Sequence, residues 1–159
     1  MISGVVTYSD YLSALRLHRQ KSVRRQILLL TAYALAGVLA VIADYRLMGA
    51  VLVGAGIGGC IAIFIQSKFF LPRRANKTYK QQVSLRATYN YAWDTDEIRI
   101  SSSTVQARRP WADYIKALES DDLLLLYHSD NLFEIFPKSW FASREQANAF
   151  RTLAMRMGT

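Results

Sequence analysis

Two uncharged apolar runs, separated by only three residues, constrain this chain more than any other feature of its sequence. Residues 27–43 form a run of 17, residues 47–65 form a run of 19, and only the tripeptide DYR lies between them. As a helix the second run is about 29 Å long, which matches a bilayer core of about 30 Å. The sequence therefore predicts a transmembrane helical hairpin over residues 26–66, with spans at 27–43 and 47–65.

The second run contains the pattern G-x-G-x-x-G, in "VLVGAGIGGC" at residues 51–60. In a dinucleotide-binding fold this pattern is followed by a second strand and by an acid about 20 residues later. Here Pro72 and a run of cations follow instead, and no acid occurs between Asp44 and Asp94. We therefore expect no dinucleotide or other cofactor.

In a bilayer, small residues that recur every four positions let a neighbouring helix approach closely. The second run carries such a stripe, at Ala50, Gly54, Gly58 and Ala62, and the first carries a matching one, at Ala32, Ala36 and Ala40. We expect the glycine stripe to pack helices, either within the hairpin or in a homo-oligomer.

The net charge of +8 is distributed unevenly along the chain. Residues 1–86 carry 12 Lys/Arg and 2 Asp/Glu, a balance of +10, whereas residues 87–159 carry 8 and 10, a balance of −2. Cations flank the spans on both sides, and the positive-inside rule then predicts that both termini and the C-terminal domain face the cytoplasm. We expect these cations to meet lipid headgroups of the bilayer rather than nucleic acid.

The remaining segments complete the predicted organisation. Residues 1–25 combine a short strand with a basic juxtamembrane helix that Ser9 or Asp10 can cap. The single cysteine, Cys60, lies in the second span, so neither a disulfide framework nor a metal site is expected.

Beyond Lys80 the hydrophobic period becomes two, as in strands. Residues 81–159 predict about six antiparallel strands and a final amphipathic helix, with Ser143 and Gln146 as a capping box. The apolar stripe of this helix is Ala147, Phe150, Leu153 and Met157. The predicted fold is an α+β membrane protein, with a small C-terminal β domain of pleckstrin-homology-like (PH-like) plan closed by a helix.

Aromatic residues in this domain carry a resemblance to a known family. A strand ends at Trp93, Trp111 precedes "ADYIKALESDDLLLLY", and "NLFEIFPKSWF" leads to the helix that begins "SREQANAF". Behind a two-span hairpin, this arrangement resembles the YcxB-like family of bacterial membrane proteins, over nearly the whole chain. The resemblance implies a cytoplasmic domain anchored at the inner membrane and assigns no catalytic residue.

No residue pattern here indicates catalysis, so we expect a protein that is not an enzyme. The acidic groups "DTDE" (residues 94–97) and "DD" (residues 121–122) lie where hairpin turns are predicted, and Asp favours turns. His128 has no partner motif for acid–base work and is expected to be a polar strand end.

Two functions suit a small anchored domain without catalysis. The first is a membrane-anchored module that binds a protein partner at the inner face. The second is an immunity protein that binds a toxin or a toxin target there. Trp140 and Phe141 are the aromatic residues least secured by the strand pattern, so we expect them to anchor the contact, with Lys138 and Arg144 on its polar rim.

Overall fold

The computed structural model describes residues 1–156, which fall into two compact units. The helical unit is His18–Arg74, and the β unit combines Met1–Leu17 with the chain from residue 75 onward. The predicted β domain began at residue 81 and lacked the N-terminus. The difference arises because the first residues supply a strand whose partner lies beyond the helices.

Three α-helices and one π-helical segment form the first half of the chain. They are α1 (Tyr8–Ile42), α2 (Arg46–Ile65), the π segment (Gln66–Phe70) and α3 (Leu71–Gln81). The predicted span 47–65 lies inside α2, and the predicted span 27–43 extends one residue beyond the end of α1. Two helices are long and apolar enough to cross a membrane. Their large side chains lie on the surface: Leu39 is 66% exposed and Leu47 is 82% exposed.

The connection between α1 and α2 is closed by backbone hydrogen bonds. The Tyr45 N–H donates to the Ala40 carbonyl over 2.8 Å, and the Asp44 N–H donates to that of Val41 over 3.1 Å. This pairing is a Schellman motif, which requires a left-handed residue. Asp44 occupies that position with φ of 64°, a region that Asp tolerates better than most residues. The tripeptide therefore reverses the chain while the backbone carbonyls of Ala40 and Val41, near the end of α1, still accept hydrogen bonds.

The predicted stripe does not form the contact within the hairpin. A Cβ built on Gly54 or Gly58 meets no atom within 4 Å, and Ala50 and Ala62 are exposed. A repeat of four residues drifts around a helix of 3.6 residues per turn, so it cannot follow one neighbour for long. The expectation that this stripe packs the two helices of one chain is therefore wrong.

A different set of glycines brings α1 and α2 together: Gly37, Gly49, Gly56 and Gly59. A Cβ on Gly56 would lie 2.7 Å from the carbonyl oxygen of Leu30 and 2.8 Å from the Cβ of Ala34. Gly49 and Gly56 are seven residues apart, the spacing that keeps one face of a helix toward its neighbour in left-handed packing. The helices can approach closely because these positions carry no side chain of their own, which leaves room for the backbone and side chains of the other helix.

Gly56→Leu should destabilise the hairpin, whereas Gly54→Leu should not. Leucine at Gly56 must displace the backbone of α1, and overpacking of this kind costs about 1–3 kcal/mol or more. Leucine at Gly54 enters open space on the same helix and changes hydrophobicity equally. Thermal unfolding of both full-length variants in mild detergent is the measurement. An equal loss of melting temperature in the two would contradict the assigned packing face.

The start of α1 is capped by Thr7 rather than by Ser9 or Asp10. The Thr7 hydroxyl accepts the Asp10 N–H over 3.2 Å, and the Asp10 carboxylate accepts the Thr7 N–H over 2.9 Å. This reciprocal pair has the form of a capping box. Strand β1 (Ile2–Gly4) precedes it, and α1 then continues through residue 25 without a break.

Seven antiparallel strands form two sheets in the β unit. The first sheet has the order β1-β2-β3-β4 and the second has the order β5-β6-β7. Ile2 of β1 lies opposite Tyr91 of β2, so the strand before the helices completes a sheet built after them. The strands that follow the helices are β2 (Tyr89–Trp93), β3 (Glu97–Ser101), β4 (Gln106–Pro110), β5 (Lys116–Glu119), β6 (Leu123–Tyr127) and β7 (Phe133–Pro137).

Helix α4 (Arg144–Arg156) closes the core as predicted. The Ser143 hydroxyl accepts the Gln146 N–H over 3.2 Å, while the Gln146 side chain accepts the N–H of Ala142, just before the cap. Phe150 is fully buried, and its ring centroid lies 4.8–5.4 Å from those of Trp93, Trp111, Phe136 and Phe141. Met157, predicted on the same stripe, lies outside the described residues.

A candidate binding groove beside helix α4

Three of the four predicted contact residues line one groove. Lys138, Phe141 and Arg144 surround a cavity of about 290 Å³ between the ends of β5 and β6 and the first turns of α4. Leu124 supplies an apolar floor, and Asn148 lies on the rim. The groove thus combines apolar surface with polar side chains, as the contact surfaces of proteins do.

Trp140 does not belong to this groove. Its ring packs against Gly4 of β1 so closely that a Cβ on that glycine would overlap the indole. The ring also stacks on Tyr91 at a centroid distance of 6.2 Å, and it contacts both hydrophobic clusters of the β unit. Phe141 is half-buried as well, against Trp93 and Phe150. Trp140 and Phe141 are thus half-buried rather than exposed, and their role as contact anchors stays a prediction.

Trp140→Ala should destabilise the β unit, and Arg144→Ala should not. Truncating a packed tryptophan costs about 3–5 kcal/mol, because the cavity left behind does not close fully. Arg144 is exposed and makes no ion pair among the described residues, so its loss should change the free energy of unfolding by less than about 0.5 kcal/mol. Near-ultraviolet circular dichroism during thermal unfolding of the full-length protein measures both. Equal stability of the two variants would contradict the packing role of Trp140.

Glu119 organises the charges of the groove. One carboxylate oxygen lies 2.8 Å from Lys138 Nζ, and the other lies 2.6 Å from Arg151 Nε. Glu119 thereby joins β5 to the end of β7 and to α4, and its single negative charge is shared between two cations. Because Asp121 and Arg144 also line the groove, both signs of charge are present.

A second polar cluster lies around Glu134 of β7. The Tyr114 hydroxyl donates to one carboxylate oxygen over 2.9 Å. The other oxygen lies 3.3 Å from His128 Nε2 and 3.4 Å from Arg109 Nε. The His128 ring also lies against that of Tyr114, with centroids 4.4 Å apart. His128 is therefore a partnered residue that ties strands together, in agreement with its expected role as a polar strand end.

Burial sets the ionisation of the tyrosines in this cluster. Burial, reinforced by the Glu134 carboxylate, raises the pKa of the Tyr114 hydroxyl well above its ordinary value. Burial likewise raises the pKa of Tyr91, which borders the same region. Both hydroxyls therefore stay protonated at physiological pH, and that of Tyr114 donates to Glu134. Among the described residues, no group of three His, Cys, Asp or Glu side chains is arranged to hold a metal ion.

The acidic group at Asp94 performs the predicted turn chemistry. Its carboxylate accepts the backbone N–H groups of Asp96 and Glu97 over 2.9 and 3.0 Å and pairs with Arg99 at 3.1 Å. The two backbone donors, together with the arginine, hold the pKa of Asp94 below its usual range. The carboxylate thus closes the β2–β3 hairpin.

Sequence reasoning missed Glu119 and the Glu134 cluster. Each joins strands or a helix that are distant in the chain, and no local spacing reports such a contact. The sequence signal was an acidic residue beside apolar ones, Glu119 at the end of "KALE" and Glu134 within "FEIFP".

Comparison with known proteins supports the family resemblance over the C-terminal region. Residues 93–154 match the sequence model of the family described as YcxB-like protein. The match begins at the end of β2 and runs into α4, so the helical unit and β1 lie outside it. The expected resemblance over nearly the whole chain is therefore found over this part only. No curated protein and no solved structure matches the chain.

Proposed function

We propose that this protein is a membrane-anchored, non-enzymatic module that binds a protein partner at the inner face of the bacterial cytoplasmic membrane. The observation that carries this proposal is the discontinuity of the β unit. Its strand β1 lies before the two long apolar helices and pairs with β2 after them. The binding domain, of PH-like plan, is thereby joined to the anchor at two points of the chain.

This pairing supports a topology with both termini in the cytoplasm. Strands that share one sheet lie on the same side of any membrane that the intervening helices cross, and two spans satisfy that condition. The Tyr79 hydroxyl of α3 also donates to the Val6 carbonyl over 3.0 Å, so the chain segments that enter and leave the helical unit are joined. By the positive-inside rule, the flanking cations favour a cytoplasmic location for that side.

Labelling of single cysteines tests the topology. In a Cys60→Ala background, Tyr45→Cys in the connection between α1 and α2 should react with a membrane-impermeant maleimide in intact spheroplasts. Ser103→Cys in the exposed β3–β4 turn should react only after the membrane is opened. The reverse pattern would contradict the cytoplasmic assignment. Equal labelling of both in unopened spheroplasts would contradict membrane insertion itself.

The groove beside α4 is the proposed contact surface. The half-buried Phe141 ring offers some apolar area to a partner, while Arg144 lacks an intramolecular ion pair among the described residues and is ready for a partner's carboxylate. A hairpin anchor confines the domain to a thin layer beneath the bilayer and so raises its effective concentration toward membrane-associated proteins. A modest intrinsic affinity therefore suffices for binding.

Photo-crosslinking in native membranes tests the contact. A photoreactive amino acid at Asn148, on the groove rim, should capture a specific protein, whereas the same residue at Gln106, exposed on β4, should not. Arg144→Glu should then lower capture, and Arg108→Glu, an equal charge change on β4, should leave it unchanged. A charge-assisted contact predicts a loss of about tenfold or more in affinity for the purified partner.

The results of the crosslinking experiment distinguish between the candidate functions. Equal capture from both positions, or turnover of a substrate by the purified protein, would overturn the proposal of a specific binding module. A captured toxin or toxin target would identify the partner as the one that an immunity protein requires.

A further inference from the structure

A pocket of about 400 Å³ lies within the helical unit, where α1 meets the junction of α2 and α3. Arg19 and Arg74 line it from opposite segments of the chain, and Gln66 adds an amide. Its other walls are apolar and include Ala62, Ile65 and Phe70. We propose that this pocket binds one anionic glycerophospholipid, with the phosphate between the two guanidinium groups and an acyl chain on the apolar walls.

The helical unit has a large excess of positive charge, so an anion that balances this charge must come from outside the unit. His18–Arg74 contains eight Lys/Arg and a single acid, Asp44. That acid lies at the far end of the hairpin and already pairs with Arg46 at 3.0 Å. Among the described residues, neither arginine of the pocket makes an ion pair. Guanidinium groups bind phosphate oxygens in a bidentate way, so two of them facing one pocket are suited to a phosphodiester.

The two arginines lie at similar distances, along their helices, from the ends of the uncharged runs. Arg19 precedes the first uncharged run by eight residues and Arg74 follows the second by nine, which correspond to about 12 and 13 Å of helix. Long arginine side chains reach back along a helix toward the apolar boundary. Arg19 and Arg74 share a pocket with Ala62 and Ile65, so the two arginine side chains extend to the edge of the second uncharged run. Phospholipid headgroups occupy this level of a bilayer.

The π segment shapes the pocket. The N–H of Leu71 donates to the carbonyl of Gln66, five residues earlier, so the turn is wider than in an α-helix. A widened turn delays the rotation of the helix and changes which residues share a face, and such turns recur at functional sites. Here Arg74 lines the same pocket as Ala62 and Gln66. In an uninterrupted α-helix, which rotates by about 100° per residue, Arg74 would lie about 120° around the axis from Ala62.

The stripe that does not pack the hairpin provides room for the acyl chain. From Ala62 the surface of α2 continues to Gly58 and Gly54, where a Cβ would meet no atom within 4 Å. Because Gly54, Gly58 and Ala62 have no large side chains, this face of α2 leaves room for a hydrocarbon chain to lie along the helix. The pocket and the stripe together match an amphiphile with a charged head and an apolar tail.

This inference rests on the membrane location in the proposed function. Full-length protein in mild detergent is titrated with dioleoyl phosphatidylglycerol, dioleoyl phosphatidylethanolamine or inorganic phosphate, and bound molecules are counted by native mass spectrometry. We expect one phosphatidylglycerol to be retained in preference to phosphatidylethanolamine. The double variant Arg19→Gln, Arg74→Gln should weaken its binding by about tenfold or more. The charge-matched control Arg25→Gln, Arg73→Gln, at positions outside the pocket, should leave it within about twofold.

Three results would overturn the lipid site. They are equal weakening by the control pair, equal retention of phosphatidylethanolamine, and displacement of the bound lipid by inorganic phosphate, which would assign the pocket to a free anion. Failure of the proposed function is separate, because it is read from cysteine labelling and partner capture. A protein that passes those two tests and retains no phosphatidylglycerol would refute this inference alone.

Discussion

The pairing of β1 with β2 is the interaction on which the rest of the structure depends. These strands lie together in one sheet although the whole helical unit separates them in the chain. Closing that sheet requires the helices to return the chain to its starting point, which a hairpin does and a single long helix does not. The Trp140 ring packs directly on Gly4 of β1 and so stabilises this pairing.

Features that depend on local sequence could be predicted. The two helices, the tight connection, the strands after residue 87 and the Ser143 cap follow from uninterrupted apolar runs, alternation and capping chemistry, and each is present. The cap of α1 was misplaced by two or three residues, because Thr7, Ser9 and Asp10 all have suitable side chains. Only the contacts of Thr7 distinguish them.

Features that depend on which surfaces meet could not be predicted. Gly54 and Gly56 lie in the same glycine-rich segment, yet only Gly56 faces α1, and the composition of the segment cannot reveal that choice. Trp140 follows a strand in a short loop, a position typical of exposed aromatics. It is half-buried because β1, more than 130 residues away in sequence, provides a glycine for it to cover. In the groove, Lys138, Phe141 and Arg144 were identified correctly as neighbours, whereas their acidic partner Glu119 was not.

The split sheet also fixes an order of assembly. During synthesis β1 leaves the ribosome before the two long helices, and its partner strand β2 is completed only after both have been made. The first sheet therefore cannot close before these helices exist, and Gly4 remains uncovered until Trp140 has emerged, after β7. Under the proposed topology, β1 and β2 meet on one side in a chain that inserts both helices, and the bilayer separates them in a chain that inserts only one. In that topology, closure of the β unit reports that insertion is complete.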